Sequence, residues 1–119
     1  MRRPRRVYEV GDEPDPRFTL ANERTLLAWL RTALALVVAG TAVVALSELI
    51  SPAWLVDALA LVAFGGGGTA AVLGYVQWQR VERAMRLGQP LPSGIGAVVV
   101  LATVVAIALI GATALFGGR

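Results

Sequence analysis

An all-α membrane protein, a bundle of three transmembrane helices, is the fold the sequence predicts, and three observations predict it. Of the 119 residues, 56% are hydrophobic, and the mean hydropathy is +0.66, too apolar for an ordinary soluble domain of this size. Three long runs carry no charge: Thr32 to Ser47, Ala58 to Gln79 and Leu87 to Gly118. A bilayer span takes about 20 apolar residues rising about 1.5 Å each, so three spans use most of the chain. The third observation is where the arginines fall. Arg2, Arg3, Arg5, Arg6, Arg17, Arg24 and Arg31 lie at or before the start of the first run, and Arg80, Arg83 and Arg86 lie before the third. Between the first two runs stand Glu48 and Asp57 and no arginine. Basic residues collect on the cytoplasmic side. The expected topology is therefore N-terminus inside, first loop outside, second loop inside and C-terminus outside.

Residues 1–14 read as a flexible basic tail, with Pro4, Gly11 and Pro14 among mixed charges. "MRRPRR" is not read as an export signal, because the polar stretch "VYEVGDEPDPR" follows it where an apolar stretch is required. It is expected to touch anionic lipid and set topology, and nucleic acid is not an expected partner. Residues 15–119 form a single three-helix membrane domain, with spans at about 26–47, 55–79 and 93–116. Asp15-Pro16 is a helix-start signal, since Asp accepts from free amides and Pro suits the first helical position. Thr19 is a second candidate cap, which would place a bend before the span.

Along the first span, Arg24, Ala28, Arg31, Ala35, Val38, Ala42 and Ala45 recur every three or four residues and share one stripe. Small residues allow close helix approach in lipid. The stripe either packs against helices of the same subunit or lines a central axis with arginines at its inner mouth. Arg31 and Trp29 fit interfacial anchoring. Asn22 and Glu23 add nothing to anchoring, so the triplet Asn22, Glu23, Arg24 is the candidate for a further role. In the second span, Gly66, Ala70 and Gly74 lie four apart and form a small-residue packing groove within a glycine-rich stretch that includes "GGGG", Gly65 to Gly68. That helix is expected to continue past Trp78 with Arg80 and Arg83 on one side, until Gly88, Pro90 and Pro92 break it. The third span is uncharged and reads as a lipid-facing outer helix.

The residue inventory narrows the chemistry. There is no Cys and no His, and Ser occurs only at Ser47, Ser51 and Ser93. Disulfides, thiolate metal sites and most nucleophile–base pairs need residues this chain lacks. No catalytic residue, metal or cofactor is expected, and the chain is not expected to be an enzyme.

Asp15-Pro16-Arg17, "LANERTLLAWLRT" (Leu20 to Thr32) and "WQRVERAMRLGQPLP" (Trp78 to Pro92) resemble the YidH type of small bacterial inner-membrane protein. The same domain forms the membrane part of the eukaryotic vacuolar transporter chaperone. The resemblance covers about Asp15 to the C-terminus. It implies a bacterial inner-membrane location, three helices with the N-terminus inside, and a homo-oligomer around a channel that passes polyphosphate. By motif position, Arg17 and Arg24 match channel-lining basic residues and Glu23 matches an acidic gating partner. Arg80 or Arg83 matches a basic residue following the second span, and Arg31 is not clearly shared. These 119 residues hold no polymerase or phosphate-sensing domain, so an anionic polymer would have to come from a separate partner. Two functions follow as expectations: an oligomeric conduit for anions, or a non-conducting scaffold that anchors a cytoplasmic or membrane partner through Arg80, Arg83 and Arg86.

Overall fold

The structure, a computed structural model, describes residues 4–117; Arg2 and Arg3 of the charge pattern lie outside them. Four helices follow in order: α1 Arg5–Tyr8, α2 Pro16–Ala45, α3 Ala53–Arg86 and α4 Gly96–Gly117, with a single 3₁₀ turn over Ser47–Leu49. No strand occurs among the described residues. Three of the helices, α2, α3 and α4, are long and apolar enough to cross a membrane.

Asp15 starts α2 by accepting the Arg17 amide at 2.9 Å, with Pro16 in the first turn. Thr19 lies inside the helix, and no break separates it from the span. At 30 and 34 residues, α2 and α3 measure about 45 and 50 Å, well beyond the roughly 30 Å of a hydrocarbon core. The excess lies at the arginine-bearing end, where Pro16–Thr25 and Gln77–Arg86 lie side by side. Gly88, at φ +65°, ends α3. The Gly88 amide bonds the Met85 carbonyl and the Gln89 amide reaches the Ala84 carbonyl at 2.9 Å, a paired closure that satisfies carbonyls the helix end would leave free. Pro90 and Pro92 then prevent renewal of the helix.

α3 lies between α2 and α4. α2 runs antiparallel to it in a register that sets Asn22 opposite Trp78, Trp29 opposite Gly74, Ala33 and Leu36 opposite Gly67, and Gly40 opposite Phe64. A Cβ on Gly67 would stand 3.0 Å from the Ala33 carbonyl oxygen, and one on Gly74 would stand 2.7 Å from the Trp29 Cβ. Both glycines are there because the backbones approach too closely for a side chain. α4 meets α3 where Thr103 covers Gly66.

The segment expected as a flexible tail is folded from Pro4 onward. Val7 is fully buried, and the Arg86 guanidinium gathers the chain around itself. It donates to the Val10 carbonyl at 2.8 Å, the Tyr8 carbonyl at 2.9 Å and Glu13 Oε1 at 3.3 Å. It also lies 5.6 Å from the Tyr8 ring centre. Arg83 donates to the Arg6 carbonyl at 2.6 Å, and the Asp12 amide bonds the Arg86 carbonyl at 3.0 Å. The planar donor fork of Arg86 reaches the Tyr8 and Val10 carbonyls together and ties the segment to the end of α3.

Candidate functional site

The arginine-bearing end holds nearly every charged residue of the spanning helices, so it is built up residue by residue. Glu23 and Arg24 lie about 100° and 200° round α2 from Asn22, so both leave the face that Asn22 occupies. Asn22 is buried. Its Nδ2 donates to the Trp78 carbonyl at 3.1 Å and to Glu82 Oε1 at 3.2 Å. Glu82 is only 1% exposed; its other oxygen accepts from Thr19 Oγ1 at 3.5 Å. A buried carboxylate is costly unless hydrogen-bonded, so Asn22, Thr19 and Glu82 form a polar tie that closes the α2–α3 contact. Sequence reasoning assigned Glu82 nothing. The signal was present: Ala70, Gly74, Trp78, Glu82 and Arg86 recur every fourth residue, and all five are buried.

Glu23 and Arg24 point outward and are exposed. Among the described residues neither forms an ion pair. Because α2 is continuous from Pro16, Arg17, Arg24 and Arg31, seven apart, stand along one side of it at intervals of about 10 Å. Arg17 is the exception in its bonding: its guanidinium grips Asp15, with Nη2 2.9 Å from Oδ2 and Nε 3.3 Å from Oδ1. This contact holds the Asp15 carboxyl below its ordinary range and raises the arginine further above its own.

The small stripe of the first span, Arg24, Ala28, Arg31, Ala35, Val38, Ala42 and Ala45, is exposed along its whole length. The face of α2 used inside the subunit is the other one, with Asn22, Ala33, Leu36 and Gly40 buried. Packing within one subunit, one of the two roles expected of the stripe, is therefore not its role. The second-span groove is also divided. Gly66 faces Thr103 of α4, Gly74 faces Trp29 of α2, and Ala70 is fully buried.

Trp29, read as an interfacial anchor, is a wedge between all three long helices. Its Cβ sits against Gly74, and its far ring edge is 2.6 Å from where a Cβ on Gly96 would stand. Beyond it α2 and α4 diverge. A groove of about 640 Å³ opens between Arg24, Thr25, Ala28, Trp29 and Thr32 on one side and Ala97, Val100, Leu101 and Val104 on the other. Arg80, exposed on α3, lines an adjoining cleft of about 250 Å³ that shares Thr25, Trp29 and Ala97 with the groove. Arg83 and Arg86 are instead occupied by the N-terminal segment.

Residues 17–84 match the family described as Domain of unknown function (DUF202). The chain is 42% identical over 87 residues to the Inner membrane protein YidH of Escherichia coli (strain K12), covering 73% of this chain and 76% of the relative. It is 46% identical over 116 residues to the uncharacterized protein Rv2272 of Mycobacterium tuberculosis (strain ATCC 25618 / H37Rv), covering 88% of this chain and 90% of the relative. No solved structure matches the chain.

Proposed function

The chain belongs to the DUF202 family and is a YidH-like multi-pass inner-membrane protein, and on that premise we propose that it is an oligomeric conduit for anions, with the N-terminus and the arginine-rich end in the cytoplasm. The observation that carries this reading is the uncovered face of α2. A helix of 30 residues leaves its arginine-bearing, small-residue side without an intrasubunit partner. Small residues permit the close approach that drives helix association in lipid, where burial of apolar surface does not. Copies gathered on that face would set Arg17, Arg24 and Arg31 around a shared axis, with Arg80 near the mouth and Glu23 beside Arg24 as the acidic counterpart. Rings of fixed positive charge concentrate anions and lower the cost of their entry. A ladder of arginines at regular rise suits an anionic polymer such as polyphosphate better than a single small ion. The narrow apolar stretch from Ala35 to Ala45 would act as the gate.

The scaffold reading draws less support. Two of the three arginines it relies on for docking, Arg83 and Arg86, are engaged by the chain's own N-terminal segment.

The test is flux of short-chain polyphosphate into liposomes carrying the wild type or Arg24→Ala. We expect flux in the wild type and at least a tenfold reduction in the variant. No wild-type flux, or equal flux in both, overturns the proposal. Because the chain has no cysteine, Ala35→Cys reports the interface directly: it should form disulfide-linked dimers in the bilayer.

A further inference from the structure

The groove between α2 and α4 takes Arg24 and Ala28 from the uncovered face of α2, and we propose that this part of the face holds, in place of a second subunit, one anionic phospholipid, with an acyl chain along the groove and the headgroup phosphate at Arg24. Its volume of about 640 Å³ falls within the range of about 300–1,000 Å³ typical of ligand sites. The wall is apolar where a chain would lie, formed by Ala28, Val100, Leu101 and Val104, and Trp29 closes it from behind.

The level of the charge identifies the headgroup. Tyr75, exposed on α3 beside the Gly74 that Trp29 packs against, stands at the level of Trp29, and exposed tyrosines collect at the headgroup boundary. Arg24 stands five residues before Trp29 on a continuous helix, about 7 Å farther out, which is where phosphates lie. It is exposed and without an ion-pair partner among the described residues. Arg80 lines the neighbouring cleft, which shares the Thr25, Trp29 and Ala97 wall, and is itself exposed. Acyl chains gain nothing by leaving lipid for an apolar groove. Selectivity must therefore come from the phosphate, through the bidentate geometry that arginine offers it.

The experiment is native mass spectrometry of the purified full chain titrated separately with phosphatidylglycerol, phosphatidylcholine and the water-soluble glycerophosphoglycerol. The wild type should retain phosphatidylglycerol over phosphatidylcholine. Arg24→Gln should reduce that retention about tenfold, the size of one charge-assisted hydrogen bond, while Arg24→Lys keeps part of it. Val100→Trp, which fills the groove from the α4 side and leaves the stripe of α2 untouched, should reduce retention of both lipids with helicity unchanged. Equal retention of the two lipids by the wild type overturns the proposal, as does unchanged retention in both Arg24→Gln and Val100→Trp. Binding of glycerophosphoglycerol as tight as that of the lipid would assign Arg24 to free anions and overturn it too. So would a Val100→Cys disulfide between two copies in phosphatidylglycerol vesicles, which would make a second subunit the occupant.

Discussion

α3 meets its two long neighbours in different ways. Against α2 the backbones close on Gly67 and Gly74, and the contact ends in the tie of Asn22 to the Trp78 carbonyl and to buried Glu82. Against α4 one threonine covers Gly66, and among the described residues one side-chain bond, from Gln77 Nε2 to the Pro92 carbonyl at 2.9 Å, holds the connecting loop. α4 carries no charge and is largely exposed. In lipid, apolar burial does not choose one helix partner over another. Close approach and polar bonds must choose, and only the first contact has both. The α2–α3 pair is therefore the rigid unit, and α4 is the element whose divergence opens the groove.

The largest expected effect breaks that unit. Gly74→Leu places a branched side chain where the Trp29 Cβ already sits 2.7 Å from any Cβ. Overpacking of a close contact costs about 1–3 kcal/mol and occasionally more, and Gly74→Leu should reach the upper end by parting α2 from α3. Gly65→Ala and Gly68→Ala, in the same glycine run but with nothing within 4 Å, should be neutral or stabilising by up to about 1 kcal/mol through helix propensity. Gly66→Ala should fall between them, because the Thr103 side chain in its way belongs to the more loosely held helix. Unfolding of the micelle-solubilised protein by titrated denaturing detergent would rank the four. Equal losses at Gly66 and Gly74 would show that the two contacts are equally tight.

The polar end of the same contact comes next. Asn22→Ala leaves the Glu82 carboxylate buried with only the 3.5 Å contact from Thr19, and an unsatisfied buried group of this kind costs about 1–3 kcal/mol. Glu82→Gln keeps an acceptor for Asn22 and should cost under about 1 kcal/mol. Combined, the two changes should cost less than the sum of each alone, since Asn22 and Glu82 share one hydrogen bond. Strict additivity in this double-mutant cycle would show that the pair is not coupled.

These residues also show what was legible in the sequence. The three helices announce themselves because lipid demands long apolar runs, and hydropathy is local information. The start at Asp15-Pro16 and the end at Gly88 are legible for the same reason, since capping chemistry acts within a few residues. The tie of Asn22 to Glu82 is not local: its partners lie 60 residues apart, and only the antiparallel register brings them together. Trp29 is legible only in part, because an interfacial aromatic and a wedge between helices call for the same residue at the same depth. The fold of Pro4–Pro14 is hidden for a third reason. Arg86 grips main-chain carbonyls of Tyr8 and Val10, and any residue type carries a carbonyl. For the candidate site, the helical period alone groups Arg24 with Ala28, Arg31 and Ala35. Which side of α2 faces α3 emerges only once Gly67 and Gly74 have taken the opposite face.

The smallest effect lies outside both contacts, at the first turn of α2, and it separates capping from packing. The Arg17 guanidinium, and then the Arg17 amide, hold the Asp15 carboxyl below its ordinary value, which is about 3.9 for a free aspartate. The folded value is thus lower than the unfolded one. The stability this group contributes is fully present above the ordinary carboxylate range and is lost as pH falls through the folded value. Arg17 stays charged throughout and adds no pH dependence of its own. Both side chains are bathed in solvent, so the effect should be small and should shrink with added salt. Acidification below about pH 4 should speed hydrogen exchange at the Arg17 and Phe18 amides while leaving exchange at Ala33 and Gly67 unchanged. Asp15→Asn, which keeps a capping oxygen without the charge, should remove the pH dependence at those two amides. Loss of protection at Gly67 on the same acid titration would mean that the cap and the α2–α3 contact melt together, and that the rigid unit extends to the start of the helix.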